Sequence, residues 1–208
     1  MNLKLALLVT AWAFTAAGIA LAAEGGSSRK WQDGDIVFSS SQHGQGEAII
    51  AATGSPLTHC GLVFSKNGKQ MVLEAVQPVG VVPLAEFISR SKHGTITALR
   101  LKTPLSTASL RKAQGWAEAQ IGKDYDARFL WEDGRLYCSE LVWKFYQHAG
   151  VELCPPRHFR DYDLEKPVVK EIIKQRFGGV AKLPLDEQVV APSDLAASPL
   201  LMEVPLVP

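Results

Sequence analysis

The sequence predicts an α+β fold, and the prediction rests on one hairpin and two amphipathic helices. Asn67-Gly68 lies between the apolar runs Leu57 to Phe64 and Gln70 to Val76. That arrangement is the strongest short-range sign of an antiparallel hairpin closed by a two-residue type I′ turn. Between the turn at Asp133-Gly134 and the stop at Gly150, Leu141, Val142, Phe145 and Ala149 recur at helical spacing and form one buried stripe. A second helix, capped by Ser106 or Thr107, runs through Gln120 with Leu110, Ala113, Ala117 and Ile121 on one side.

Taken in order, the chain opens with a predicted secretory signal over residues 1–22. Lys4 gives a positive start, Leu5 to Leu21 is almost wholly apolar, and Ala20-Leu21-Ala22 is a small-x-small cleavage site. Residues 23–208 are then expected to form a single exported domain, with a bacterial periplasm as the destination. Gly34 to Ser39 reads as a first strand opened by a turn at Asp33-Gly34, and Glu47 to Thr53 as a short helix ending at Gly54. Pro78 to Pro83 reads as an extended connection, Leu84 to Ser91 as a short helix and Thr95 to Leu101 as a strand. After Gly150, Cys154-Pro155-Pro156 forbids regular structure, Val168 to Phe177 suits a helix, and the stretch from Gly178 reads as an extended wrap with room for a strand.

Three residues stand out chemically. Cys138 extends the buried stripe into the first turn of its helix, where unpaired N–H groups and the helix dipole favour a thiolate. The same N–H groups suit an acyl oxyanion. In the type I′ register Lys66 faces Lys69, Val63 faces Val72 and Gly61 faces Glu74. His59, Gly61 and Val63 therefore share a face with Val72, Glu74 and Val76, and His59 and Glu74 become diagonal neighbours. Gly61 leaves room for the carboxylate to lean towards the imidazole, and Cys60 points to the other face. The bland alternatives are a small apolar core cysteine, a satisfied strand histidine and a solvated edge carboxylate. Against them, His59 and Glu74 both interrupt apolar strands, and an unpaired buried carboxylate is costly. A cysteine nucleophile, a histidine base and an orienting carboxylate are the parts of a thiol hydrolase.

Composition excludes other classes. Lys plus Arg number 22 against 21 Asp plus Glu, and loss of Lys4 with the signal leaves the two balanced. Such a chain has no electrostatic footprint for nucleic acid. Its 3 cysteines, Cys60, Cys138 and Cys154, are too few for a disulfide scaffold. No Cys-x-x-Cys pair exists, and His59 and Cys60 diverge across their strand, so neither zinc nor any other metal or cofactor is expected. His43, His93, His148 and His158 are expected at the surface. Ser139 and the run Ser39 to Ser41 lack the G-x-S-x-G elbow of a serine hydrolase.

Gly34-Asp-Ile-Val37, Thr58-His-Cys-Gly-Leu-Val63, Val72-Leu-Glu-Ala-Val76, Gly122-x-x-Tyr-Asp126 and Tyr137-Cys-Ser-Glu-Leu-Val142 occur in that order. Together they resemble the circularly permuted papain-like hydrolases of the YiiX/YebB type, relatives of the NlpC-type cell-wall peptidases. The late segment Val190 to Pro199 resembles that family's closing stretch. The resemblance implies a papain-like α+β fold in which the cysteine helix packs on an antiparallel half-barrel sheet. It implies Cys138 as nucleophile, His59 as base, Glu74 as the third member and Tyr125 in a supporting role. Cys60 departs from the family pattern, where an aliphatic residue is commoner; it is expected to pack in the core or to pair with Cys154. Glu140 is expected to complement the helix dipole.

The function expected is that of an exported cysteine amidase or peptidase acting on peptidoglycan-type peptides or related amides. The alternative is a lipid-directed esterase, amidase or acyltransferase on the same scaffold, with the apolar tail after Leu183 lining an acyl groove. A non-catalytic binding module is the third reading, opposed by the presence of all three reactive side chains. Oligomeric state is not legible.

Overall fold

The computed structural model of the chain describes residues 30–41 and 44–205. The expected signal segment, residues 1–22, and His43 lie outside the described residues. In chain order the elements are β1 (Ile36–Ser39), α1 (Gln45–Thr53), β2 (His59–Lys66), β3 (Lys69–Glu74), β4 (Gly80–Pro83), α2 (Leu84–Ser89) and β5 (Thr97–Leu101). They continue with α3 (Thr107–Glu118), α4 (Cys138–His148), β6 (Arg157–His158), α5 (Pro167–Phe177), β7 (Gln188–Val189), α6 (Pro192–Ala196) and β8 (Leu201–Glu203). A main sheet runs β4-β3-β2-β1-β5-β8, and β6 pairs with β7. Every neighbouring pair in it is antiparallel. This is the mixed α and β architecture with an antiparallel sheet that the sequence predicts.

The hairpin of β2 and β3 forms as expected. Asn67 and Gly68 have φ of 52° and 74°, the pair of positive values that a type I′ turn requires. Lys66 pairs with Lys69 and Val63 with Val72. One step further along, a Cβ on Gly61 would lie 2.5 Å from Val72 Cγ1, 2.9 Å from the Leu73 carbonyl and 3.3 Å from Glu74 Cβ. Glycine is therefore required here by close approach rather than by backbone conformation.

Both faces of the central strands are covered. Ile36, Phe38, Cys60, Leu62 and Leu73 belong to one core with Leu141, Val142 and Phe145 of α4. Val37, Val63 and Val72 belong to a second core with Leu84 and Phe87 of α2. Burial on both faces explains why these strands are apolar at nearly every position. It also makes the His59–Glu74 interruption costly unless the two are paired. Asp35, 1% exposed, receives two hydrogen bonds from Arg100, at 2.6 and 2.7 Å, and this ties β1 to β5.

The connection from Pro78 to Pro83 ends in a full edge strand, β4, paired with β3 from Met71↔Pro83 to Glu74↔Gly80. Proline is tolerated there because an edge strand leaves one side of its backbone unpaired. The C-terminal stretch is more structured than the expected wrap. Pro192 starts α6, a position for which its fixed φ is pre-organised, and β8 extends the sheet by pairing with β5. Both elements are too short for periodicity to reveal them. Among the described residues, no helix is long and apolar enough to cross a membrane.

A Gly61→Ala substitution is expected to destabilise the protein, because neither the Leu73 carbonyl nor the buried Val72 can retreat. Overpacking of this kind costs about 1–3 kcal/mol. Urea unfolding should show a lower midpoint with an unchanged slope, and an unchanged midpoint would refute the close-approach argument.

Candidate active site

Cys138 is the first residue of α4, the end where the helix leaves its N–H groups without intrahelical acceptors. The segment around it is held on both sides. Val190 N–H donates to the Tyr137 hydroxyl at 3.2 Å, and the Ser139 hydroxyl donates to the Val190 carbonyl at 2.7 Å. On the other flank Leu136 and Tyr125 form a parallel bridge, with Leu136 N–H donating to the Asp124 carbonyl at 3.2 Å and Asp126 N–H to the Leu136 carbonyl at 3.0 Å. The helix start cannot drift without breaking these bonds. Cys138 itself is 3% exposed.

At the first residue of β2, His59 places Nε2 2.6 Å from Glu74 Oε2. That contact leaves Nδ1 as the other ring nitrogen, and Cys138 acts on the ring electrostatically. Glu74 is fully buried. Its second oxygen accepts a hydrogen bond from Arg90, the residue that follows α2. Phe87 of α2 stacks on the His59 ring, with centroids 5.7 Å apart and planes inclined by 25°. The Arg90 guanidinium lies 5.8 Å from the centre of the same phenyl ring. The imidazole is thus fixed by a carboxylate at one nitrogen and by an aromatic face.

These contacts set the charges. Burial alone would lower the His59 pKa, but the negative sulfur of Cys138, its hydrogen bond and Glu74 raise it from 6.5 to about 9. Burial alone would raise the Glu74 pKa, but His59 and then Arg90 bring it below the usual value. Cys138 is driven well below an ordinary thiol, first by a hydrogen bond from the Cys60 side chain, then by His59 and by the Cys60 backbone N–H, all acting against burial. Both shifts favour the thiolate–imidazolium form of the pair.

Cys60 packs in the core, one of the two places expected for it, and it is not paired with Cys154: all three cysteines are free. It points away from the His59–Glu74 face, and on that side its thiol and backbone N–H act on the Cys138 sulfur. Alternation along the strand gave its direction, but only the docking of α4 on β2 decides what lies there.

Tyr125 reaches the site from the loop after α3. Gln45 at the start of α1 donates to its hydroxyl at 2.8 Å, and Arg176 of α5 donates to the Gln45 side-chain oxygen at 2.5 Å. Burial pushes the Tyr125 pKa upward, so its hydroxyl keeps a proton to donate. Glu140 stays out of the chemistry. It pairs with Lys144 at 2.8 Å and accepts from the Tyr137 N–H at 3.4 Å, and burial lifts its pKa to about 8.

Beside Cys138 opens a cleft enclosing about 810 Å³, part of it open to solvent. Ala48, Ile49, Phe159, Val169, Ile173 and Phe177 contribute apolar walls. Arg176 also lines it, and one guanidinium nitrogen is buried there without a protein partner.

His59, Glu74, Cys138 and Tyr125 therefore lie together. Arg90, Phe87, Gln45 and Arg176 join them without having been signalled by the sequence, since each belongs to an element whose docking no local pattern reveals. His93 is exposed, as expected, but His148 is half-buried and stacks on Trp116 with centroids 4.7 Å apart.

The model of the permuted papain-like amidase family, YaeF/YiiX, C92, matches residues 30–205. The uncharacterised protein YiiX of Escherichia coli K12 is 37% identical over 174 residues, 83% of this chain and 85% of that protein. The crystal structure described as metalloprotein yiiX from Escherichia coli O157:H7 superimposes with a TM-score of 0.79 at 37% identity. It covers 85% of this chain and 98% of that one. Among the described residues here, no group of three or more His, Cys, Asp or Glu side chains converges to hold a metal ion. With the nucleophile helix, the hairpin and the order of motifs all in agreement, the chain belongs to the permuted papain-like amidase family.

Proposed function

We propose that the protein is a cysteine amidase in which Cys138 is the nucleophile, His59 the proton carrier and Glu74, held by Arg90, the group that orients it. The observation that carries this is the 2.6 Å His59–Glu74 contact beside a cysteine at the start of α4, with shifts that favour a thiolate on Cys138 and a proton on His59. The thiolate attacks the amide carbonyl, and the first-turn N–H groups of α4 with the Tyr125 hydroxyl receive the developing oxyanion. His59 gives its proton to the departing amine, then takes one from the water that releases the acyl group.

The cleft bears on the substrate class. The sequence pointed first to peptidoglycan-type peptides or related amides, with a lipid-directed esterase, amidase or acyltransferase as the alternative. The apolar walls beside Cys138 favour the second: an acyl chain shelters there more readily than a polar muropeptide stem. Export by the N-terminal apolar segment is part of the proposal. Peptide mapping of the protein recovered from its native cell should find Ala23 as the first residue, and a retained residue 1–22 segment would refute cleavage.

Iodoacetamide should label Cys138 rapidly below neutral pH, and His59→Ala should lose that labelling. Labelling that follows an ordinary thiol pKa near ~8.5 in both proteins would sink the enzyme reading. Turnover of an N-lauroyl amino-acid amide by wild type but not Cys138→Ser would support the lipid reading, whereas cleavage of muropeptides alone would restore the cell-wall reading.

The pH dependence has a definite sign. The folded-state pKa of His59 lies above its free value of 6.5, so the imidazolium persists above 6.5 and is lost as pH climbs through about 9. Activity should fall on that alkaline limb. Glu74→Gln should move the limb to lower pH and reduce kcat on the order of 10²-fold, and an unmoved limb would exclude Glu74 as the orienting group.

A further inference from the structure

Cys60 has a chemistry that the amidase reading leaves unused. Its position, opposite Phe38 in the β1–β2 ladder and fully buried, asks only for a compact apolar side chain. Instead there is a second thiol: β2, which carries Cys60, packs against α4, which Cys138 begins, both cysteines are buried in the same core cluster, and the Cys60 side chain acts on the Cys138 sulfur. Cys138 lines the cleft and Cys60 does not, so a small reagent entering from solvent meets Cys138 first. Cys154, by contrast, is remote: its carbonyl accepts from the Trp143 indole at 2.8 Å, and burial pushes its thiol up to about 12.

We propose that Cys60 is a resolving thiol, and that oxidation of Cys138 by a hydroperoxide ends in a Cys60–Cys138 disulfide that stores the nucleophile in a reversible, inactive form. The proposal rests on the reading of Cys138 as a reactive thiolate. In the first step the Cys138 sulfur attacks one peroxide oxygen and the O–O bond breaks. Sulfur is oxidised by two electrons to the sulfenic acid, and the leaving oxygen takes the His59 proton to become an alcohol, or water when the oxidant is hydrogen peroxide. In the second step the Cys60 sulfur attacks the Cys138 sulfur. The S–O bond breaks, an S–S bond forms, and hydroxide leaves with the Cys60 proton as a second water. Two thiols and one hydroperoxide thus give one disulfide, one alcohol and one water.

The arrangement favours the second step at the right moment. While Cys138 is a thiolate, its charge helps hold Cys60 in the protonated state. Conversion to a neutral sulfenic acid removes that charge and leaves an electrophilic sulfur against the Cys60 thiol. Water has little access to a site where both residues are at most 3% exposed. The nearest competitor for the sulfenic acid is therefore Cys60, and further oxidation needs a second peroxide to enter.

The test treats wild type, Cys60→Ala and Cys60→Ser, each confirmed folded by circular dichroism, with a small excess of hydrogen peroxide, enough to supply the second equivalent that a sulfinic acid requires. Intact mass and peptide mapping follow, before and after a thiol reductant, with iodoacetamide labelling of Cys138 measured on the untreated proteins. Wild type should lose about 2 Da, yield a Cys60–Cys138 cross-linked peptide and recover full Cys138 labelling on reduction. Both variants should gain about 32 Da at Cys138, the irreversible sulfinic acid, and should not recover. Serine keeps a hydrogen-bond donor without redox chemistry, so it separates the two roles of the Cys60 thiol. Sulfinic acid formation at the same rate in all three, with Cys60 still alkylatable in wild type, would overturn the proposal and leave the amidase reading intact. A Cys138 that resists both peroxide and iodoacetamide would overturn both.

Discussion

A carboxylate buried without exposure to water organises this site. An unpaired charge at the Glu74 position would be prohibitive, so the fold must bring it partners. It brings two from different elements: His59 across the hairpin and Arg90 from the end of α2. Each oxygen has its own partner, so the carboxylate stays ionised despite burial. The charge on Glu74 favours the protonated imidazole, and the protonated imidazole in turn favours the Cys138 thiolate. Arg90, Glu74, His59 and Cys138 thus form one chain of charge partners set by the fold.

Much of this was legible because it depends on local rules. Asn67-Gly68 dictates the turn, the turn dictates the register, and alternation then sets His59, Gly61 and Glu74 on one face. Helical spacing in the same way sets Cys138 at the buried start of α4. Arg90 and Phe87 were not legible: the helix that carries them was expected, but nothing local says that it covers the His59–Glu74 face. Nor was the contact between Cys60 and Cys138. Strand alternation gives a direction, whereas a neighbour requires the docking of one element on another. The segment from Pro192 to Glu203 failed for a different reason, since elements of three to five residues carry no measurable period.

Substrate choice has the same non-local character. The cleft beside Cys138 is assembled from α1, α5 and the segment around Val189 to Pro192, three stretches that share no sequence pattern. α5 also supplies Arg176, whose bond to Gln45 links the cleft wall to Tyr125. The cleft wall and the Tyr125 hydroxyl are thus joined by one chain of hydrogen bonds.

The permuted order of the motifs tests how much of this depends on connectivity. Histidine and acid come from an early hairpin, and the nucleophile from a later helix, yet the chemistry requires only that the imidazole lie between carboxylate and sulfur. Sheet packing enforces that. β2 offers His59 at its first residue and Cys60 at its second, and α4 docks where both can reach Cys138. Two adjacent residues of one strand, pointing to opposite faces, thus act on one sulfur: the first through its side chain from the strand end, the second through both its backbone N–H and its thiol. An aliphatic residue at position 60 would keep the backbone bond and lose only the thiol. The thiol therefore has two parts to play: it is the first influence that lowers the Cys138 pKa, and in the proposed oxidation it is the group that captures the sulfur once that charge is gone.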